Sequence, residues 1–146
     1  MNLLLLTNLA STLFLTGLVC CLQVVQFPMM LRAGGLDFPS YVKQQRTRNT
    51  LLMAPAMLIE MVTAAWLLFD DRVPHRDAFH AFLLLVIVWM VTFASIVPIH
   101  SKLGRGFDEA GVRALIRRNW IRTVCWSLRS AMMLWIAWVS PARGLC

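Results

Sequence analysis

The chain has 146 residues, of which 59% are apolar and only 14% are charged. The apolar share exceeds the about 45–50% typical of soluble domains, and the charged share lies well below the usual quarter. Seven Asp and Glu against fourteen Lys and Arg give a net charge of +7, yet long stretches hold no charge. These proportions exclude a disordered chain, a coiled coil, a disulfide-stapled secreted domain and an ordinary soluble enzyme. They favour a small integral membrane protein.

Four apolar segments are each long enough to cross a bilayer as a helix, which takes roughly 20 residues. They cover residues 3–31, 50–69, 78–99 and 118–139. The first segment has no basic start and is much longer than a signal-peptide core of about 7–15 residues, so we expect a mature helix. The predicted fold class is all-α, a single transmembrane domain built as a four-helix bundle.

Lys and Arg are unevenly distributed between these segments. The connections that follow the first and third segments hold nine of them, whereas the second connection and the C-terminal tail hold three. Since basic loops stay on the cytoplasmic side, both termini are predicted to lie outside a bacterial inner (plasma) membrane. The basic turns are typical of anchoring in anionic membrane lipids, and no nucleic-acid partner is expected.

The two halves of the chain share a short pattern at a spacing of 70 or 71 residues. The matched positions are Pro28 and Pro98, Arg32 and Lys102, Gly34 and Gly104, Asp37 and Asp108, and Asn49 and Asn119. A repeat of two spans keeps its orientation, so the halves would be related by an axis along the membrane normal. The pattern indicates two tandem helical hairpins, with a coincidence of ordinary loop residues as the alternative.

Charged residues lie deep within two of the segments. A charge in a span costs about 2.5–3.5 kcal/mol on insertion scales, so it normally faces the bundle interior and finds a partner. At 1.5 Å per residue, Glu60 and Arg129 lie about 16–18 Å beyond Arg48 and Arg118, and therefore at a similar depth. We expect them to form an ion pair.

A polar series recurs at steps of three and four on the last segment and shares one helix face. Its members are Asn119, Arg122, Trp126, Arg129 and Met133. Gln23 and Gln26 lie near the predicted cytoplasmic end of the first segment, and His100 lies at the same end of the third. Together these residues predict a polar pocket open toward the cytoplasm, with Glu60 and Arg129 at its floor.

The pocket has a catalytic and a structural interpretation. The candidate catalytic residues are Glu60, His100 and Arg129, with the carboxylate as a base, an arginine stabilising the resulting oxyanion and the imidazole relaying protons. The candidate ligand-binding residues are Gln23, Gln26, Asn119, Arg122 and Trp126. On the structural interpretation, the ion pair fixes helix register and the amides hold helices together.

Metal and thiol chemistry are disfavoured by spacing. The three His residues lack the i, i+4 or Glu-x-x-His spacing of a helix-borne metal site. Cys20 and Cys21 are adjacent, and the chain has no Cys-x-x-Cys motif. Neither a metal nor another cofactor is expected.

A family resemblance rests on two short motifs in the second half of the chain. The run Pro98-Ile99-His100-Ser101-Lys102-Leu103 and the Asn119-x-x-Arg122 motif resemble the small four-helix membrane proteins grouped with anthrone oxygenases. The family pattern has Asn where this chain has His100, and Trp where it has Leu115. The resemblance implies oxidation of a polycyclic phenol by dioxygen without metal or flavin, with His100, Asn119 and Arg122 at the matching positions.

The sequence thus predicts a membrane protein that binds a small apolar or phenolic ligand in an intramembrane pocket. Oxidation or isomerisation of that ligand by acid–base chemistry is the catalytic form of this hypothesis. The alternative is a non-catalytic subunit or accessory protein of a larger membrane complex, or a homo-oligomer, in which the polar residues hold helices or partners together.

Overall fold

The structure is a computed structural model that describes residues 3–33 and 37–143, and for residues 141–143 the backbone alone. Within these residues the chain is helical and has no strand, which confirms the predicted all-α class. Its α-helices are α1 (Leu3–Cys21), α2 (Phe27–Met30), α3 (Phe38–Leu67), α4 (His75–Val91), α5 (Val97–Leu103) and α6 (Glu109–Arg143). Gly34, which belongs to the predicted repeat, and Cys146, at the predicted outer C-terminus, lie outside the described residues.

Two five-residue π-helical segments interrupt the α-helices. The first π segment, Leu22–Gln26, joins α1 to α2, and the second, Thr92–Ile96, joins α4 to α5. Each is followed by a proline near the start of the next helix, Pro28 and Pro98. Proline lacks the N–H that a regular helix uses and clashes with the preceding turn, and a local π turn accommodates it. The two π segments are 70 residues apart, the spacing of the predicted repeat.

Three helical stretches are long and apolar enough to cross a membrane: Leu3–Met30, Phe38–Leu67 and His75–Leu103. They contain nearly all of the first three predicted spans. The fourth predicted span falls in α6, which has 35 residues but is not among the stretches that meet these criteria in the described part of the chain. Basic residues within α6, Arg122 and Arg129 among them, lower its hydropathy. The prediction of four apolar spans is therefore confirmed for three helices only.

The long helices pack in the order α3, α1, α6, α4 around the bundle. Close packing joins α1 to α3, α1 to α6 and α4 to α6, whereas α3 touches α4 and α5 only sparsely. Two apolar clusters fill the interior, one around Leu15, Val88 and Trp126, the other around Leu5 and Met133. A buried polar layer lies between these clusters, and the gap beside α3 leaves room for a cavity.

Candidate functional site

The polar layer is centred on the ion pair that the sequence predicts. Arg129 Nε donates to Glu60 Oε1 at 2.9 Å, and the two side chains are 1% and 0% exposed. The ion pair predicted from the depths of Glu60 and Arg129 is therefore confirmed. A buried pair of this kind is stable only when its remaining hydrogen-bonding groups are also satisfied.

The Glu60 carboxylate accepts two further hydrogen bonds. Thr12 Oγ1 donates to Glu60 Oε1 at 2.7 Å, and Trp126 Nε1 donates to Glu60 Oε2 at 3.1 Å. Trp126 is fully buried. Each carboxylate oxygen therefore has at least one donor within the protein, and the negative charge is well solvated by side chains.

The Arg129 guanidinium is held from two more helices. Its Nη2 donates to Asn8 Oδ1 at 3.0 Å, and its Nη1 donates to the backbone carbonyl of Ala81. Asn8 Nδ2 in turn donates to Thr63 Oγ1 at 2.7 Å and to the Glu60 carbonyl at 3.0 Å. This network, here called the central cluster, connects α1, α3, α4 and α6. A small pocket of about 10 Å³ lies beside it, next to Arg129.

The sequence interpretation missed three members of the central cluster. Asn8 and Thr12 on α1 and Thr63 on α3 are buried and hydrogen-bonded to the ion pair or to each other. A signal was present, because Asn8, Thr12 and Thr16 follow one another at steps of four and share a helix face. A polar face in an otherwise apolar helix points to a buried partner.

A second polar group, here called the Arg122 cluster, consists of Arg122 and Asn119, about two and three turns before Arg129 on the same face of α6, and of Gln23 in the first π segment. Arg122 is 3% exposed, and its Nη1 donates to Asn119 Oδ1 at 3.1 Å. Asn119 Nδ2 donates to Gln23 Oε1 at 2.8 Å. The guanidinium carbon lies 5.0 Å from the centroid of the Trp126 ring, a cation–π contact. No carboxylate of a described residue lies within ion-pair distance of Arg122.

The Arg122 cluster borders a cavity of about 360 Å³ between α3 and the α4–α5 stretch. Its walls are mainly apolar and include Met53, Met57, Phe93 and Ile96. This volume lies within the range of small-molecule pockets, which are typically apolar with a few placed polar groups.

Three polar atoms on the cavity lining are buried and without a hydrogen-bond partner among the described residues. They are Arg122 Nε, His100 Nδ1 and Trp89 Nε1. His100 is 8% exposed and packs against the Phe27 ring, with the ring centroids 5.8 Å apart. Buried polar atoms without a partner are rare in folded proteins, because each costs about 1–3 kcal/mol. All three atoms belong to side chains that border the same cavity.

The structure places the predicted pocket residues in different parts of the bundle. His100 and Arg122 line the cavity, whereas Glu60, Arg129 and Trp126 belong to the central cluster and are not among the lining residues. The expectation that Glu60 and Arg129 form the pocket floor therefore does not match the observed lining. The physical reason is that both side chains already form hydrogen bonds with each other and with neighbouring helices.

The predicted amides lie behind or away from the cavity. Gln23 and Asn119 are buried behind Arg122 and support it. Gln26 is half-buried and its Oε1 accepts hydrogen bonds from Gln45 Nε2 at 2.8 Å and Asn49 Nδ2 at 3.1 Å. Gln26 thus joins the first π segment to α3 and does not line the cavity.

The sequence interpretation also missed part of the lining. Arg46, Asn49, Met53 and Met57 of α3 lie along the cavity at steps of three and four. That periodicity could have been detected, because it places a basic and an amide side chain above two methionines on one face. Trp89 gave no such signal, since its position fits a membrane-interface tryptophan equally well.

In the part of the chain that the structure describes, no three His, Cys, Asp or Glu side chains come together as a metal site would require. The cavity itself offers one imidazole, one buried guanidinium and one indole N–H.

Comparisons with known proteins add no relative to these observations. No protein-family model, no curated protein and no solved structure matches the chain. The resemblance to anthrone oxygenases stays a prediction from two short motifs, and the geometry of the site carries the functional argument.

Proposed function

We propose that this chain is a membrane-embedded four-helix bundle that binds a small apolar or phenolic molecule in the cavity beside Arg122 and His100. The observation that carries the proposal is the apolar cavity of about 360 Å³, whose lining includes three side chains with a buried polar atom that lacks a partner among the described residues. Such a lining is stabilised when a bound molecule fills the space and supplies the missing hydrogen bonds.

The surface of the bundle supports the membrane location. Large apolar side chains point outward along the long helices, among them Leu51 at 75% exposure, Val62 at 59% and Met90 at 65%. A soluble monomer rarely exposes so large and continuous an apolar surface. In the inner membrane of a bacterium, the uneven distribution of Lys and Arg would place both termini outside.

The two π segments support a tandem arrangement of hairpins. In each half, a π turn, a proline and a basic loop follow the first long helix in the same order, 70 residues apart. A π turn is uncommon in an α-helix, so its recurrence at the repeat spacing favours duplication over a coincidence of loop residues. Helices from each of the two hairpins contribute residues to the cavity wall.

The chemistry that the cavity favours is binding and proton transfer. A phenol hydroxyl beside His100 Nδ1 would be placed to lose its proton to the imidazole, and Arg122 would stabilise the oxyanion. Glu60 and Arg129, which the sequence placed in catalytic roles, would then hold the scaffold. Trp126 would link the two groups, since it contacts both Glu60 and Arg122.

Native mass spectrometry of gently extracted protein tests the proposal. Ala54 lines the cavity and is half-buried, so Ala54→Phe places a ring in the binding space. Ala131 is exposed on α6, and Ala131→Phe adds the same ring to the outer surface as a matched control. We expect a small molecule to accompany the wild type and Ala131→Phe and to be lost from Ala54→Phe. Protein partners in fixed ratio without a small molecule would instead indicate a subunit of a larger complex.

A further inference from the structure

The buried charges of the described structure do not balance. Its buried ionisable side chains include one carboxylate, Glu60, and two guanidiniums, Arg122 and Arg129. Arg129 already pairs with Glu60 at 2.9 Å. Arg122 is left with an amide oxygen and an aromatic face as its neighbours, and neither carries a charge.

Arg122 borders the cavity. Asn119 is held by Gln23 on the side of α1, so the amide supports Arg122 from behind. Arg122 Nε is buried without a partner among the described residues, and the side chain is part of the lining. The N–H of a buried guanidinium is stabilised by a hydrogen-bond acceptor, and an anionic oxygen is the strongest acceptor.

A second cation lies at the edge of the same cavity. Arg46 is exposed, lines the cavity from α3, and makes no ion pair with a described residue. The lining residues include no Asp and no Glu within the described chain. The polar end of the cavity is therefore positively charged, while its remaining wall is apolar.

We infer that the ligand is a single-headed anionic amphiphile, whose head group pairs with Arg122 and whose apolar body lies between α3 and α4. This inference rests on the proposed function and specifies the class of ligand. His100 lines the same cavity, and its Nδ1, which has no partner among the described residues, would add a contact to the head group. Met53, Met57 and Phe93 would contact the body. A lipid-derived carboxylate and an acidic phenol share this chemistry.

Titration of the detergent-solubilised protein with three probes tests the inference, with bound probe counted by native mass spectrometry. The probes are tetradecanoate, its neutral methyl ester, and pentachlorophenol as an acidic phenol that is ionised at neutral pH. We expect the wild type to bind tetradecanoate more tightly than the ester. Arg122→Met should weaken tetradecanoate binding by about ten- to a hundredfold, the usual contribution of a charged hydrogen bond, and leave ester binding unchanged.

Two further variants separate charge from fold. Arg122→Lys keeps the charge and should retain the preference for tetradecanoate over the ester. Arg117→Met removes an exposed arginine from the same helix and should leave all three affinities as in the wild type. If pentachlorophenol binds more tightly than tetradecanoate and depends on Arg122, the anionic head group is supported and its source is a phenol.

The possible failures are distinguishable. If the ester binds as tightly as tetradecanoate and Arg122→Met changes neither affinity, the anionic ligand is excluded while the cavity remains a binding site. If the wild type binds none of the probes and no small molecule accompanies it from the membrane, the proposed function fails together with the inference.

Discussion

Arg129 and Arg122 lie seven residues apart on one face of α6, are 1% and 3% exposed, and have opposite surroundings. Arg129 contacts a carboxylate, an amide oxygen and a backbone carbonyl from three other helices. Arg122 contacts one amide oxygen of its own helix and borders a cavity. Arginine at nearly the same burial thus joins helices at Arg129, whereas at Arg122 it has no charged partner among the described residues.

The difference follows from how the helices are spaced. At the level of Arg129, Glu60 of α3 and Ala81 of α4 both reach the guanidinium. At the level of Arg122, α3 and the α4–α5 stretch are separated by the cavity, which residues of both π segments also border. A π turn displaces the side chains that follow it, and such turns are frequent at functional sites.

The largest effect is expected from Glu60→Ala. Removing the carboxylate leaves Arg129 buried without its counter-ion, which typically costs about 3–5 kcal/mol of stability. Unfolding of the purified protein in detergent, followed by circular dichroism against temperature, measures the loss. The double variant Glu60→Leu with Arg129→Met replaces the pair by apolar side chains and should recover most of it. Equal instability of the single and double variants would show that the pair itself, and not an unpaired charge, supports the fold.

A smaller loss is expected from Trp126→Phe. The substitution keeps the aromatic face below Arg122 but removes the N–H that Trp126 donates to Glu60 Oε2 at 3.1 Å. A hydrogen bond to a charged group contributes about 1.5–3 kcal/mol, and a cavity left by the smaller ring adds to the loss. The same detergent unfolding experiment applies. Trp135→Phe, at an exposed position of α6, is the matched control and should leave the midpoint unchanged. A midpoint equal to that of the wild type would mean that Glu60 does not need this donor.

The opposite sign is expected from Arg122→Met. Arg122 forms no ion pair with a described carboxylate. Its replacement by an apolar side chain therefore leaves no buried charge without its counter-ion. Replacing buried ionic groups by apolar ones is often neutral or stabilising by about 1–4 kcal/mol, and here we expect the lower end, because the Asn119 bond is lost. Ligand-free protein should unfold at or above the wild-type midpoint. A loss as large as that of Glu60→Ala would remove the distinction between the two arginines.

The sequence was sufficient for the ion pair of the central cluster but not for the residues around that pair or for the cavity. The depth of each residue along its helix predicted the pairing of Glu60 with Arg129, because the rise per residue and the shared helix direction determine that depth. The same reasoning placed Arg122 on the correct face. It could not separate the two arginines, because the spacing of α3 from α4 depends on packing and on the π turns, which residue patterns did not indicate. It therefore assigned Glu60 to the pocket and omitted Trp89 and Arg46.

The smallest effect concerns a charge pair at the surface, which extends the comparison from buried charges to exposed ones. Lys102 Nζ lies 2.8 Å from Asp108 Oδ2 in the loop before α6. The hydrogen bond from Lys102, followed by the backbone N–H groups of Gly111 and Ala110 and the charge of Lys102, lowers the pKa of Asp108 below its usual 3.8.

Because the pKa of Asp108 is lower in the folded chain, its contribution to stability is present above pH 3.8 and is lost as the pH falls through the folded value. Asp108→Asn should therefore lower the unfolding midpoint slightly at neutral pH, and the difference from the wild type should disappear in acid. Salt should reduce the same difference, since exposed charges are screened, whereas the effect of Glu60→Ala should be insensitive to salt. A midpoint difference of the same size at low and at neutral pH would mean that the Asn side chain caps α6 less well for reasons unrelated to charge, and that the surface pair contributes nothing.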